Sequence, residues 1–552
     1  MNNTTMQYFS NPVLPGDHPD PSVIRVGPDY YMVTSTFQYF PSVLIHHSRD
    51  LVHWKPIGHV ITRRSQLDFM DIPDSHGAFA PDISYYAGKY WVVIPYFHGQ
   101  PRCTNIVYTA DRPEGPYSDG VVLNHHFIDP SIFNDDDGKR YLAFGGGWVH
   151  ELAQDGSRLI GEARQVWSGT GGSTPEAPHI VKRNGWYYLL LAEGGTAFGH
   201  METLARSRSV WGPYEASPSN PILSQQDSTK PLQKAGHGKL VEDPDGNWWM
   251  VHLGGRPLTP NGATPLGRET FLEPVRWTDD DWLEVGNEGA PLEWIEMPRK
   301  TALAAGSSAE LTDDDPVDRF DGKELSSVWE WVRHPLENKF RLTAAGLEMD
   351  CAAYPLYVPG STLLLTRRWE HFGFEAEACL NFAPQTLGEE AGLLLYRDMD
   401  GMLLASIRNG IGQTSGQKFD VSRSHEKQEH EGLYLQIDRS EKCFRTTLYQ
   451  ARLELPTGAD IWLKTRLEST TGQLSFSYSI DGVHYEEIEL LVPAAFLYPE
   501  NYARYKCYTA PRVGIYAMGV KYQPEGKVLF KSFSYRGVDT ANASSDLEET
   551  FE

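Results

Sequence analysis

Very little in this chain of 552 residues is positively charged, sulfur-bearing or continuously apolar, and each shortage removes a class of function. The formal net charge is −24, so the basic face demanded by a phosphate backbone is missing and nucleic acid is excluded as a partner. The 5 cysteines, Cys103, Cys351, Cys379, Cys443 and Cys507, are odd in number and scattered. No pair has the close spacing of a metal site, so they read as reduced thiols. No apolar run approaches the roughly 18 residues that a membrane helix needs, so no membrane partner is expected. The first thirteen residues lack both a basic and an apolar leader region, and a cytoplasmic location is expected. No long amphipathic helical pattern occurs in the first half.

What the chain has is turns and aromatics: 50 glycines, 37 prolines, 15 tryptophans, 28 tyrosines and 23 phenylalanines. Most of these rings are expected to fill β cores. Five segments follow one template. They begin at Asp20 (Asp-Pro-Ser-Val-Ile), Phe79 (Phe-Ala-Pro-Asp-Ile), Asp129 (Asp-Pro-Ser-Ile-Phe), Glu176 (Glu-Ala-Pro-His-Ile) and His237 (His-Gly-Lys-Leu-Val). Each precedes a Gly- or Asp-marked turn and an aromatic-rich run. Paired β-runs recurring every roughly 40–60 residues are the signature of a propeller blade. A propeller gathers equivalent positions around one axis, so the repeat predicts that these five residues meet at one pocket. Three carboxylates, a ring and an imidazole in a concave site point to acid–base chemistry.

The fold class expected is all-β: a five-bladed β-propeller over residues 1–305, then a β-sandwich over 317–540. Between them, Ala302 to Pro316 reads as a linker, small and featureless and then acidic with a proline stop. The second half has no blade template. Its strands are expected at Gly373 to Leu380, Ala391 to Tyr396, Met402 to Arg408, Leu433 to Asp438, Ile461 to Leu467, Leu474 to Ile480, Val513 to Met518 and Val528 to Tyr535, with a hairpin at Asp481-Gly482. The tail from Thr540 onward is small and acidic and is expected to fray.

The ordered set Asn11-Pro12-Val13, Asp20-Pro21-Ser22, Phe127-Ile128-Asp129-Pro130-Ser131, Glu176-Ala177-Pro178-His179 and Leu266-Gly267-Arg268-Glu269-Thr270 resembles glycoside hydrolase family 43. Within it, the chain looks like the two-domain β-xylosidases, whose sandwich caps the active site. The resemblance implies an inverting, exo-acting enzyme that releases terminal D-xylose from β-1,4-xylo-oligosaccharides. Asp20 would be the general base, Glu176 the general acid and Asp129 the third carboxylate that raises the pKa of the acid. Phe37, Phe79, Trp148, His237, Arg268 and Tyr508 would bind substrate, with Tyr508 on the loop that closes the pocket. The alternatives are an α-L-arabinofuranosidase or an enzyme with both activities, and behind them an endo-arabinanase or a non-catalytic carbohydrate-binding propeller.

Two departures from the family pattern bear on this. Phe79 stands where the close β-xylosidases more usually carry tryptophan, which opens the balance between xylose and arabinose. Gly238-Lys239 follows His237 where small and acidic residues are more frequent. No cofactor is expected to be required: His237 is read as a hydrogen-bonding residue that positions the carboxylates, the alternative being indirect contact with a calcium ion at the axis. The acidic segments at Asn134 to Gly138 and Asp243 to Asn247 are read as hairpin turns. The partner expected is a small oligosaccharide, with a homo-oligomer left open.

Overall fold

The computed structural model describes residues 8–98, 103–297, 317–353, 360, 362–410, 432–442, 444–455, 458–501, 507–519 and 524–538. The linker expected up to Pro316 and the tail from Thr540 lie outside them. Among the described residues helix is confined to short 3-10 turns, and none is long and apolar enough to cross a membrane.

The chain divides into two compact units. The first is the propeller. Its blades start with Ser22–Val26, Asp82–Tyr86, Ser131–Asn134, Glu176–Arg183 and Gln233–Glu242, and in each blade the strands that follow pair antiparallel and outward. The first strands touch in cyclic order, the fifth returning to the first, so the ring is closed. Because every first strand is entered from a loop in the same sense, the five entry residues share one end of the ring.

The core of this unit is five wedges, one between each pair of neighbouring blades. Strand alternation explains why. In Lys89–Phe97, Val92 and Ile94 face the wedge toward the first blade, while Trp91 and Val93 face the wedge toward the third. A strand buried on both faces needs apolar residues at successive positions, as this one has. Closure also uses the N-terminal segment. Tyr8–Ser10 pairs with Trp294–Glu296. Asn11 donates through Nδ2 to the carbonyls of Leu272 and Leu292 and receives the Leu272 amide. The acidic segments are hairpin turns: Asp135 N–H bonds the Lys139 carbonyl, and Asp243 N–H the Asn247 carbonyl.

Two pieces from far along the chain belong to this same unit: Glu330–His334 and, of the described residues, Cys507, Tyr508 and Thr509. Glu330–Val332 pairs with Tyr39–Phe40. Arg333, 1% exposed, donates to the Ile72 carbonyl and to Asp74. The Tyr508 amide donates to the Ser75 hydroxyl oxygen.

The second unit is an antiparallel two-sheet sandwich. One sheet runs Phe340–Thr343, Gly346–Asp350, Lys527–Gly537, Phe374–Ala383, Asp460–Leu467, Gln473–Ser479, Glu486–Pro493. The other runs Phe444–Leu453, Leu433–Glu441, Gly401–Asn409, Glu390–Asp398, Arg512–Met518, Leu364–Arg368. All eight expected strands are present. The Asp481-Gly482 hairpin is held by Asp481, whose carboxylate accepts the amides of Val483 and His484.

A chain ending at residue 305 retains all five blades but lacks Arg333 and Tyr508. Such a truncation is expected to melt several degrees below the full chain, as loss of buried polar ties does. Calorimetry of the two proteins checks this.

Candidate active site

At the entries of the first strands the backbone adopts an unusual conformation. Asp20, Asp129, Ala177 and His237 have φ of 59°, 57°, 53° and 54°, in the left-handed region that L-residues other than glycine seldom occupy. Asparagine, aspartate and histidine tolerate it better than most; alanine does so only when its surroundings impose it. The register of the template is thereby refined. Ala177, not Glu176, is the fourth-blade counterpart of Asp20 and Asp129, and Glu176 stands one residue earlier, as Phe79 does before Ala80-Pro81. The Xaa-Pro dipeptides carried this signal in the sequence.

The entries do bring the predicted residues together. Asp20, 5% exposed, accepts the Arg268 guanidinium at 2.9 Å and the Ser35 hydroxyl at 2.5 Å, and His237 Nδ1 lies 3.6 Å from it. Burial alone would push the Asp20 carboxyl up; Arg268 foremost, with His237, Ser35 and His200, outweighs it and holds the group below the usual carboxylate range. Burial drives the His237 imidazole down; the charge of Asp20 opposes this and Arg268 adds to it, and the net direction is down.

Asp129 is in the opposite situation. It is 6% exposed and accepts the Ala177 amide at 3.1 Å. Burial, then the neighbouring charges of Glu176 and Asp20, raise its pKa well above the ordinary value. Asp129 and the half-buried Glu176 form a pair that resists losing its last proton. One pocket thus holds an acid kept ionised and an acid pair kept partly protonated.

Three rings cluster beside Arg268, the partner of Asp20. Phe37 and Phe79 meet edge to face at 5.2 Å, and Tyr508 stacks on Phe37 at 6.5 Å, with planes 12° apart. Arg268 joins rings and acid: it donates to the Tyr508 carbonyl and lies 5.5 Å from the Phe37 centroid. Phe37 is itself left-handed, and a side chain on Gly77 would come within 2.3 Å of its carbonyl oxygen, so glycine is required at 77. Trp148 is not part of this cluster; it stacks at 6.3 Å on Phe127 and packs against the wedge between the second and third blades. Ser35 and His200 were missed by sequence reasoning. Neither lies in the repeated template; Ser35 follows the second strand of the blade, where its amide bonds the Pro19 carbonyl.

One layer below, the third template positions Ser22, Asp82, Ser131, His179 and Lys239 surround the axis. Lys239 donates from Nζ to Asp82, to the Ser22 hydroxyl at 2.9 Å and to the Ile83 carbonyl at 2.9 Å. Asp82 also receives Ser22 at 2.8 Å and the Ile132 amide at 2.9 Å. Burial, followed by Lys239 and His237, lowers the His179 pKa well below the usual range. A calcium ion wants six to eight oxygens, several of them charged. Here the single axial carboxylate is already taken by an ammonium, and a divalent ion would add two charges beside it. These residues do not fit the metal.

Comparison with known proteins agrees with this architecture. Residues 9–283 match Glycosyl hydrolases family 43, and residues 317–536 match the Beta xylosidase C-terminal Concanavalin A-like domain. A xylosidase/arabinosidase 43B of Humicola insolens is 34% identical over 563 residues, covering 97% of this chain and 98% of its own length. A beta-xylosidase of Bacillus subtilis is 37% identical over 415 residues, 70% of this chain and 77% of its own. The crystal structure of the GH43 BlXynB protein from Bacillus licheniformis superposes with a TM-score of 0.86 at 36% identity, covering 96% of this chain and 99% of that one. With opposed carboxylate environments at the mouth of a five-bladed ring, a concanavalin-like sandwich and relatives alike over nearly the whole length, the chain belongs to glycoside hydrolase family 43.

Proposed function

We propose that this protein is an inverting, exo-acting β-xylosidase that removes terminal D-xylose from short β-1,4-xylo-oligosaccharides. The observation that carries the reading is the pair of opposed environments: Asp20 held ionised by Arg268, and Asp129 with Glu176 held back from full ionisation. Two titratable groups pushed apart in this way divide the labour of base and acid. In an inverting displacement the base takes a proton from water as the water attacks the anomeric carbon, while the acid protonates the departing oxygen on the other face. Asp20 is the base and Glu176 the acid. Asp129 shares the proton of Glu176 and delays its loss. Arg268 keeps Asp20 deprotonated and has donors to spare for glycone hydroxyls. Phe37, Phe79 and Tyr508 supply the apolar wall that the C–H faces of a pentose require. His237 orients the base. No metal takes part in a step, because Lys239 supplies the positive charge at the axis.

A second reading, an α-L-arabinofuranosidase or a bifunctional enzyme, is favoured by one residue. Phe79 leaves more room beside the glycone than the tryptophan more usual in the close β-xylosidases, and the Humicola insolens relative is named for both activities.

Initial rates on an aryl β-xyloside, an aryl α-arabinofuranoside and linear arabinan distinguish the readings; turnover of the xyloside below that of the arabinofuranoside overturns the first. On the xyloside, Asp20→Ala is expected to lose on the order of 10²–10⁴-fold in kcat. Glu176→Ala is expected to lose a similar factor on xylobiose and less on aryl glycosides, whose better leaving groups need less protonation.

Asp129→Asn removes the charge that keeps the last proton on the pair. Glu176 then ionises at lower pH, so the alkaline limb of the pH–kcat/KM profile moves toward lower pH. A limb that stays in place assigns the alkaline limb to another group.

EDTA treatment followed by excess calcium is expected to leave kcat unchanged. Lys239→Ala, which strands Asp82 without its cation, is expected to lower the melting temperature by several degrees, as loss of one partner of a buried pair does. Activity lost to chelator and restored by calcium would contradict the metal-free axis.

A further inference from the structure

Glu202 is a carboxylate without an obvious reason to be where it is. It sits on Met201–Ser207, the third strand of the fourth blade, and is 0% exposed. Among the described residues no lysine or arginine pairs with it. It accepts the Gly238 amide at 2.8 Å and faces the His237 amide as well, while its Oε1 finds no partner. Burial first, then the nearby charges of Glu193 and Glu176, push its pKa well up. A buried carboxyl with so few partners is costly, and any apolar residue would fill this strand position at less expense.

The register shows what it reaches. Glu176 pairs with Ala192, and Ala192 pairs with Glu202, so the three lie in one row across the blade. The small Ala192 leaves Glu202 room to extend to the entry of the next blade. What it meets there is the His237–Gly238 corner, with His237 left-handed at φ 54°. The corner is tightly packed, since a side chain on Gly238 would come within 2.7 Å of the Met250 sulfur. On its other side the His237 imidazole lies 3.6 Å from Asp20.

We propose that Glu202 is a positioning residue which pins the His237–Gly238 corner and so fixes the imidazole against Asp20. The proposal rests on the assignment of Asp20 as base, but it is read by a separate measurement. Glu202→Gln keeps the size and one acceptor and turns an N–H group toward the other amide. On an aryl xyloside it is expected to lower kcat on the order of tenfold, the effect of losing one buried hydrogen bond and leaving its partner unsatisfied. In a His237→Ala background the same substitution is expected to change kcat less than about twofold, because the group it acts through is gone. Hydrogen exchange of the 233–242 segment, followed by mass spectrometry, is expected to quicken in Glu202→Gln, and Glu202→Asp is expected to recover part of the rate. Equal losses of kcat in both backgrounds, or unchanged exchange in 233–242, overturn the proposal. Were Asp20 not the base, Asp20→Ala would keep its turnover while the coupling between positions 202 and 237 remained measurable.

Discussion

The contact on which the pocket depends is the buried ion pair between Arg268 and Asp20, 2.9 Å apart. It joins the fifth blade to the first, across the seam where the ring closes. The same guanidinium holds the Tyr508 carbonyl and faces the Phe37 ring, so one planar fork organises the acid, the backbone of a distant segment and the apolar wall. Lysine could supply the charge there but not the geometry, since a compact ammonium lacks the flat fork that reaches Asp20 and the Tyr508 carbonyl through separate nitrogens while facing the Phe37 ring. Against the strong tendency of burial to neutralise a carboxyl, the pair also decides which acid of the pocket stays charged.

A second cation, Lys239, does related work one layer down. Asp82 draws together Ser22, Lys239 and the Ile132 amide, which come from three different blades. The ring is therefore tied at two depths, by an arginine at the mouth and a lysine on the axis. Both are side chains of the fifth blade, the last to be added to the circle. The apolar wedges give the blades their adhesion, and these polar ties fix how the blades are rotated against one another, which apolar contact alone specifies poorly.

Much of this was legible in the sequence because a repeat converts linear spacing into convergence. Asp20, Asp129, Glu176 and His237 could be placed in one pocket from the template, and Arg268 and Tyr508 from resemblance. Residues outside the template were not legible. Ser35 reaches Asp20 from just beyond the end of the neighbouring strand, and Glu202 reaches the His237 corner from the third strand of the preceding blade. Both depend on register, which no short motif encodes. Trp148 was named from resemblance alone, and its ring stacks on Phe127 beside the wedge between the second and third blades. In the sandwich, alternation revealed the central strands. The edge strand Phe444–Leu453 has no fully buried position, so the alternation that marks the others is missing from it.

The scattering of the propeller unit along the chain has a consequence for synthesis. The five blades and their carboxylates are complete once about 300 residues have been made, yet Tyr508 emerges roughly 200 residues later, an interval of about ten to forty seconds at ordinary ribosomal rates. For that time the nascent protein carries its charged acids without the third ring of the wall. The pocket is finished well after its blades, so a product terminated in that interval would keep the ring of blades while lacking the ring that completes its sugar site. Completeness of translation is thus written into the active site itself.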